Sequence, residues 1–281
     1  MSVLKVAAAQ MSCASGLTDE SIARHLEAIE DSRAKGVDVL VFPELSLTGY
    51  AAAPDLLAQA RSARAPELAL LAAAAGPMLV AVGFIEEGPA AQFYTAQALL
   101  TRGNVVHVHR KINLAGYGRL EEPKHFGRGR SLGTVHVADR WSAATLICAD
   151  LWNPALPWLA ALGGATLLIV PAASSLDAVA PGFDNPGGWD LVLRHTAVTY
   201  GMPIVFANLC GGLFWGGSRI VDADGTVSPP AGTEPELVVA EIDYDRVREA
   251  RTWLPTVRDA DPRFVQAELE RLMSMAEARA Q

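Results

Sequence analysis

Three reactive side chains, Glu44, Lys111 and Cys148, each follow an apolar run with the pattern of a buried strand. A carboxylate can act as a base, an ammonium group can stabilise an oxyanion, and a thiol can act as a nucleophile. Brought together at strand ends, these groups would suffice to cleave a carbon–nitrogen bond through a covalent intermediate. Each residue alone also has an ordinary structural interpretation, so its neighbours decide what it predicts.

The residues after Cys148 favour a reactive thiol over a buried apolar cysteine. Asn153 and Pro154 have the signature of a helix start, with Asn as the N-cap and Pro at the first helical position. A thiol near a helix N-terminus meets a partial positive charge that favours the thiolate. The backbone N–H of Ala149 would face a developing oxyanion.

The neighbours of Lys111 and Glu44 favour positions inside a site. Arg110 and Lys111 are adjacent in a strand-like run, so they point to opposite faces and one can lie in solvent while the other enters a site. Glu44 follows Pro43 and the fully apolar run 39–42, which indicates that it emerges from a buried strand.

The composition limits the classes of partner. The chain has 281 residues, 51% of them hydrophobic, and a net charge of −8, which argues against nucleic acid or an anionic membrane as a partner. Cys13, Cys148 and Cys210 are too widely spaced for a disulfide framework or a metal site. With no secretory signal, we expect a cytoplasmic protein.

Other reaction classes lack their motifs. There is no Gly-x-Ser-x-Gly elbow for a serine hydrolase. Gly116-x-Gly118 lacks the third glycine of a dinucleotide site, and the six histidines are scattered. We therefore expect no cofactor and no metal. Residues 155–173 carry no charge, but Pro157 and Pro171 divide them, which predicts a buried helix and strand instead of a membrane span.

Short apolar runs alternate with longer helical patterns, which predicts an α/β protein whose sheets are covered by helices. The predicted elements include a helix over 56–75, a hairpin over 93–109, a strand over 143–148 and a helix over 189–200. Segments 34–43 and 162–171 share a helix end, a glycine, an apolar strand and a proline, which suggests two related halves.

Three motifs in order resemble the nitrilase superfamily of carbon–nitrogen hydrolases. They are Phe-Pro-Glu-Leu, Arg-Lys-Ile-Asn-Leu and Ile-Cys-Ala-Asp, and the similarity extends over nearly the whole chain. The resemblance implies a four-layer α-β-β-α sandwich and one domain over 1–281. It also implies a homodimer or larger homo-oligomer, with the C-terminal helical tail, about 245–281, at the interface.

The resemblance implies a catalytic triad of Glu44, Lys111 and Cys148. It also implies a second glutamate several residues before a glycine. Glu122, seven residues before Gly129, fits that position better than Glu121. Glu122 would orient Lys111 or the substrate amide.

The nucleophile motif bears on the substrate. True nitrilases of the superfamily usually have Cys-Trp-Glu, whereas Cys-Ala-Asp is closer to amidase-like branches. No Arg or Lys follows within 149–158 to pair with a carboxylate. We expect the insert 174–189 to form a pocket wall that favours a neutral or cationic substrate. The candidate substrate-binding residues are Ala149, Trp152, Tyr117, Asp184 and Trp189.

The expected activity is hydrolysis of a small non-peptide amide, or an N-carbamoyl amine, through a cysteine thioester with release of ammonia. The Cys-x-Asp-x-Trp pattern looks like polyamine-precursor amidases and the glutaminase portions of NAD synthetases. No synthetase-like sequence follows, so we expect a stand-alone amidase. Nitrile hydrolysis and acyl transfer are alternatives, as is an inactive homologue that serves as a binding or assembly protein.

Overall fold

The computed structural model describes residues 2–12, 14, 16–50 and 55–280. The strands are β1 (Val3–Ser12), β2 (Val39–Val41), β3 (Leu79–Glu87), β4 (Phe93–Thr101), β5 (Asn104–Arg110), β6 (Thr134–Ala138), β7 (Trp141–Thr145), β8 (Leu167–Ala172), β9 (Ile204–Gly211), β10 (Phe214–Trp215), β11 (Arg219–Val221) and β12 (Glu236–Asp243). The helices are α1 (Asp19–Ala34), α2 (Leu56–Gln59), α3 (Pro66–Ala75), α4 (Ala155–Leu162), α5 (Asn185–Tyr200), α6 (Tyr244–Trp253) and α7 (Pro262–Ala280). Short 3₁₀ turns cover Pro89–Ala91, Glu122–Lys124 and Cys148–Asp150.

Two mixed sheets meet at the end of β1. The first has the order β12-β1-β2-β3-β4-β5, and its strands β1, β2 and β3 are parallel. The second has the order β11-β9-β8-β7-β6, and its strands β9, β8 and β7 are parallel. Pairing of Met11 with Leu209 and of Ser12 with Cys210 joins the sheets. Because parallel strands end on the same edge of a sheet, the ends of several strands lie close to one another.

Helices and sheets form four layers, and apolar side chains fill the three spaces between them. Leu71 and Phe84 belong to the layer where α1 and α3 cover the first sheet. Val6 and Val205 belong to the layer between the two sheets, and Leu193 to the layer where α4 and α5 cover the second sheet. Each fully buried side chain of this size stabilises the fold by roughly 1.5–3 kcal/mol. The α-β-β-α sandwich that the resemblance implies is confirmed.

The similar segments 34–43 and 162–171, which suggested two related halves, contain strands at corresponding positions of the two sheets. Strand β2 lies between β1 and β3 in the first sheet, and β8 lies between β9 and β7 in the second. The uncharged run 155–173 is helix α4 followed by strand β8, as predicted. Among the described residues, no helix combines the length and the apolar character that a bilayer crossing requires.

Some predicted boundaries are wrong. The helix expected over 56–75 is two helices, because the chain leaves α2 extended at Ala60 and Pro66 starts α3 afresh. Helix α5 begins at Asn185 instead of Trp189, since the Asp184 carboxylate accepts a hydrogen bond from the Gly187 N–H and caps it. The hairpin of β4 and β5 is confirmed.

Candidate active site

Glu44 lies just beyond β2, in a buried turn that packs tightly on β3. Its side chain is 1% exposed, and Oε2 accepts a hydrogen bond of 3.0 Å from the Ala173 N–H at the end of β8. Gly83 on β3 makes this approach possible, because a Cβ there would lie 2.4 Å from the Leu45 nitrogen and from the Pro43 oxygen. The two sheets therefore hold the carboxylate between them.

Lys111 follows the last residue of β5 and is fully buried. Its Nζ donates hydrogen bonds to Glu44 Oε1 at 2.6 Å and to Glu122 Oε1 at 2.7 Å. Arg110 points to the other face, as the alternation predicts, and makes a two-point ion pair with Glu86 at 2.7 and 2.9 Å. An ammonium group with two carboxylate partners is fixed in position and has one donor left for a substrate.

Glu122 begins a 3₁₀ turn that aims its carboxylate at Lys111. Oε1 also accepts from the Tyr50 hydroxyl at 2.9 Å, and Oε2 accepts from the Ala115 N–H at 2.8 Å. The neighbouring Glu121 is exposed and pairs with Lys124 at 2.5 Å. Glu122, and not Glu121, is therefore the glutamate that the fold brings to Lys111.

Cys148 lies beyond the end of β7, in the 3₁₀ turn, and not within a strand as predicted over 143–148. Its φ of +47° is unusual for a residue with a Cβ, and such backbone strain is frequent at active sites. The thiol lies close enough to Glu44 for each group to shift the pKa of the other. The turn thus presents the thiol directly to the carboxylate. Ala149, the next residue, is buried beside it.

Burial and charge pairing set the protonation of the cluster. Burial raises the pKa of Glu44 to about 7, against the opposing effect of Lys111. Burial alone would lower the pKa of Lys111, but Glu44 and Glu122 raise it well above its ordinary value. The thiolate that a helix N-terminus was expected to favour is not favoured here, because burial and the nearby Glu44 carboxylate raise the pKa of Cys148 and α4 begins only at Ala155. A neutral thiol beside a carboxylate that ionises near neutral pH is suited to proton transfer during nucleophilic attack.

Asp150 is a residue of the site that the sequence did not single out. This fully buried carboxylate accepts four hydrogen bonds, from the N–H groups of Ile112, Asn113 and Ile147 and from His109 Nε2, at 2.7–3.1 Å. It thereby ties the turn of the nucleophile to the strand end that carries the lysine. The sequence placed Asp150 in the Ile-Cys-Ala-Asp motif, two positions after the cysteine, but predicted no role for its side chain.

A cavity of about 270 Å³ opens over Cys148 and Glu122. Most of its wall is apolar, with aromatic side chains from separate segments: Tyr50, Tyr117, Trp152, Phe183 and Trp189. Tyr117, Trp152 and Trp189 were predicted to bind substrate, whereas Tyr50 was missed because nothing in its local sequence marks it. Asp184 does not belong to this wall; it is exposed and caps α5, which explains its position before Pro186.

The loop that carries Tyr117 packs closely against the pocket insert. Gly118 has a φ of +59°, and a Cβ there would lie 2.1 Å from the Ala178 oxygen, so only glycine fits. Beside this crossing, Arg119 Nη1 and Asp177 Oδ2 form an exposed ion pair at 2.8 Å. These contacts close one side of the cavity.

The model of the carbon-nitrogen hydrolase family matches residues 5–252, so the chain belongs to this family. A glutamine-dependent NAD(+) synthetase of Thermotoga maritima is 31% identical over 255 residues, which cover 87% of this chain and 43% of the synthetase. A protein of Pseudomonas protegens described as a hydrolase is 30% identical over 240 residues, covering 82% of this chain and 80% of that protein. The chain thus spans less than half the length of the synthetase.

Solved structures share the fold. A carbon-nitrogen hydrolase of Helicobacter pylori superposes with a TM-score of 0.81 at 19% identity, covering 95% of this chain and 98% of that one. An amidase of a Nesterenkonia species has a TM-score of 0.74 at 25% identity, covering 89% and 94% of the two chains.

Proposed function

We propose that this chain hydrolyses small non-peptide amides through a thioester on Cys148 and releases ammonia. The observation that carries the proposal is the buried cluster in which Glu44 contacts both Cys148 and Lys111 beneath a cavity. Membership of the carbon–nitrogen hydrolases and similarity to an amidase support the same reaction class.

In the first half-reaction, Glu44 accepts the thiol proton of Cys148 while the sulfur attacks the amide carbonyl carbon. Negative charge develops on the carbonyl oxygen, where the Lys111 ammonium and the Ala149 N–H stabilise it. The tetrahedral intermediate then collapses, the carbon–nitrogen bond breaks, and Glu44 returns the proton to the departing nitrogen. The products of this step are ammonia and an acyl thioester.

In the second half-reaction, Glu44 accepts a proton from a water molecule that attacks the thioester carbonyl. The carbon–sulfur bond breaks, the sulfur recovers a proton from Glu44, and the carboxylic acid leaves. Glu122 acts by holding Lys111 in place and charged throughout. The cycle uses these side chains, the Ala149 N–H, the substrate and water.

The direct test is ammonia release from propionamide and pentanamide by wild-type protein and Cys148→Ala. We expect the substitution to lower the rate at least about 1,000-fold, since it removes the nucleophile, while the thermal melting temperature changes little. Cys210→Ala is the matched control, because Cys210 is a buried free cysteine that does not line the cavity over Cys148. Undiminished turnover in Cys148→Ala would contradict the proposal, and no turnover by wild type would favour an inactive homologue.

A further inference from the structure

The cavity over Cys148 has almost no charge in its wall. Glu122 is the one charged side chain among the described lining residues. Its carboxylate is already engaged by Lys111, Tyr50 and the Ala115 N–H. The structure does not describe residues 13, 15 and 51–54, and all of them are uncharged in the sequence. A charged acyl group would therefore lose its water without gaining a partner, which is costly.

Three charged residues adjacent in sequence to the lining, Arg119, Asp177 and Asp184, have their partners outside this wall. Arg119 and Asp177 pair with each other at 2.8 Å and line a neighbouring cavity. Asp184 caps α5 through the Gly187 N–H at 3.0 Å. The acidic residues of the insert therefore give the expectation of a cationic substrate no support, and that expectation now depends on the aromatic side chains alone.

Ser174 lines the cavity with a hydroxyl group whose hydrogen-bonding role is fixed by its neighbours. Its Oγ accepts hydrogen bonds from Asn185 Nδ2 at 2.9 Å, Trp189 Nε1 at 2.9 Å and Trp215 Nε1 at 3.1 Å. A hydroxyl oxygen has two lone pairs, so three donors leave it no free acceptor site. Ser174 is left with only its own O–H to give and cannot receive a hydrogen bond from an ammonium group.

The aromatic wall supplies the attraction that charges do not. Trp152 meets Trp189 edge to face, with centroids 5.5 Å apart and an interplanar angle of 81°, and lies 6.4 Å from Phe183. Trp152 and Phe183 are still 38% and 40% exposed. Covering such rings with an apolar ligand is favourable, because it removes apolar surface from water.

We propose that the site selects amides whose acyl group is uncharged and apolar, up to the size of one aromatic ring, and discriminates against glutamine. The cavity of about 270 Å³ is at the small end of ligand pockets, which run from roughly 300 Å³ upward. The inference rests on the amidase function proposed above. It separates this chain from the similar synthetases, whose name states that they depend on glutamine.

The test compares kcat/KM for amides of matched length that differ in charge. Pentanamide is neutral, glutaramate carries a carboxylate and 5-aminopentanamide carries an ammonium group; phenylacetamide and L-glutamine complete the set. We expect pentanamide and phenylacetamide to exceed the three charged amides by about tenfold or more. Equal or better turnover of a charged amide overturns this inference while leaving the amidase function intact. No turnover of any of them, or of propionamide, overturns both.

Two variants sharpen the result. Trp152→Ala should lower kcat/KM for phenylacetamide at least about tenfold but change that for propionamide less than about threefold, because only the larger acyl group reaches the ring. The matched control is Trp253→Ala, whose tryptophan is 75% exposed at the end of α6 and lines no part of this cavity; its ratio of the two constants should stay as in wild type. An unchanged ratio in Trp152→Ala would contradict the assignment of the wall.

Discussion

Glu44 has two partners that make opposite demands on its proton. Lys111 favours the carboxylate, whereas burial and Glu122 favour the neutral acid, and the result is a pKa of about 7. A base of that strength can take the thiol proton and still return it to the leaving nitrogen. The proton affinity of Glu44 therefore depends on burial, Lys111 and Glu122 together.

The pH dependence of kcat/KM should report the proton on Glu44. The raised pKa means that Glu44 is ionised above about pH 7 and protonated below it. Because the protonated acid cannot accept the thiol proton, activity should fall about tenfold per pH unit below that value. Burial lowers the pKa of His25 to about 4, so this histidine does not titrate between pH 5 and 8. A flat profile between pH 5 and 8 would contradict the assignment.

Asp150→Asn should damage catalysis more than binding. The amide keeps one acceptor oxygen where the carboxylate had two, so at least one of the contacts that join the lysine strand to the nucleophile turn is lost. We expect kcat to fall about 100-fold, with a much smaller change in KM, since the reacting groups are misplaced.

The control for Asp150→Asn is Asp245→Asn, an exposed aspartate in the first turn of α6. It should leave kcat unchanged. Wild-type kcat in Asp150→Asn, with the melting temperature also preserved, would show that the four hydrogen bonds do not position the site.

At the scale of elements, the close packing of strand β3 against the Glu44 turn defines the geometry. Gly83→Ala would place a Cβ 2.4 Å from two backbone atoms of that turn, so the turn must move. We expect unfolding free energy to fall by about 1–3 kcal/mol and activity to fall with it. Calorimetry and ammonia release measure both effects.

Gly232→Ala serves as the control for Gly83→Ala, because a Cβ at position 232 meets nothing within 4 Å. It should be neutral in both measurements. If Gly83→Ala were as stable and active as Gly232→Ala, the packing of β3 would not be what holds Glu44.

The sequence alone predicted the features that depend on residues close by along the chain. Strand ends, and therefore the positions of Glu44 and Lys111, follow from short apolar runs. Asp150 could not be recognised, since its partners Ile112 and Asn113 lie 38 and 37 residues away. Tyr50, 72 residues from Glu122, was missed for the same reason. Spacing to Gly129 favoured Glu122 over Glu121, but the 3₁₀ turn that aims Glu122 at Lys111 was not predicted.

At the scale of the whole molecule, helix α7 carries apolar side chains on its surface. Phe264, Leu269, Leu272, Met273 and Met275 are 42–64% exposed. An exposed apolar stripe on a terminal helix is typical of a protein–protein contact. We propose that this tail contributes to a homodimer or larger homo-oligomer.

Leu272→Glu combined with Met273→Glu should reduce the molecular mass measured by light scattering to that of the monomer, because two charges would be buried in the contact. Leu57→Glu is the control, since Leu57 is 81% exposed on α2 and outside the tail; it should keep the wild-type mass. A wild-type protein that is monomeric at high micromolar concentration would contradict the proposal.

The central claim is that Cys148 carries the acyl group during turnover. Mass spectrometry of protein quenched during hydrolysis of pentanamide tests it directly. We expect a pentanoyl adduct on the peptide that contains Cys148, present in Cys210→Ala and absent in Cys148→Ala. Steady ammonia release with the adduct on another residue, or with equal release by Cys148→Ala, would contradict the claim.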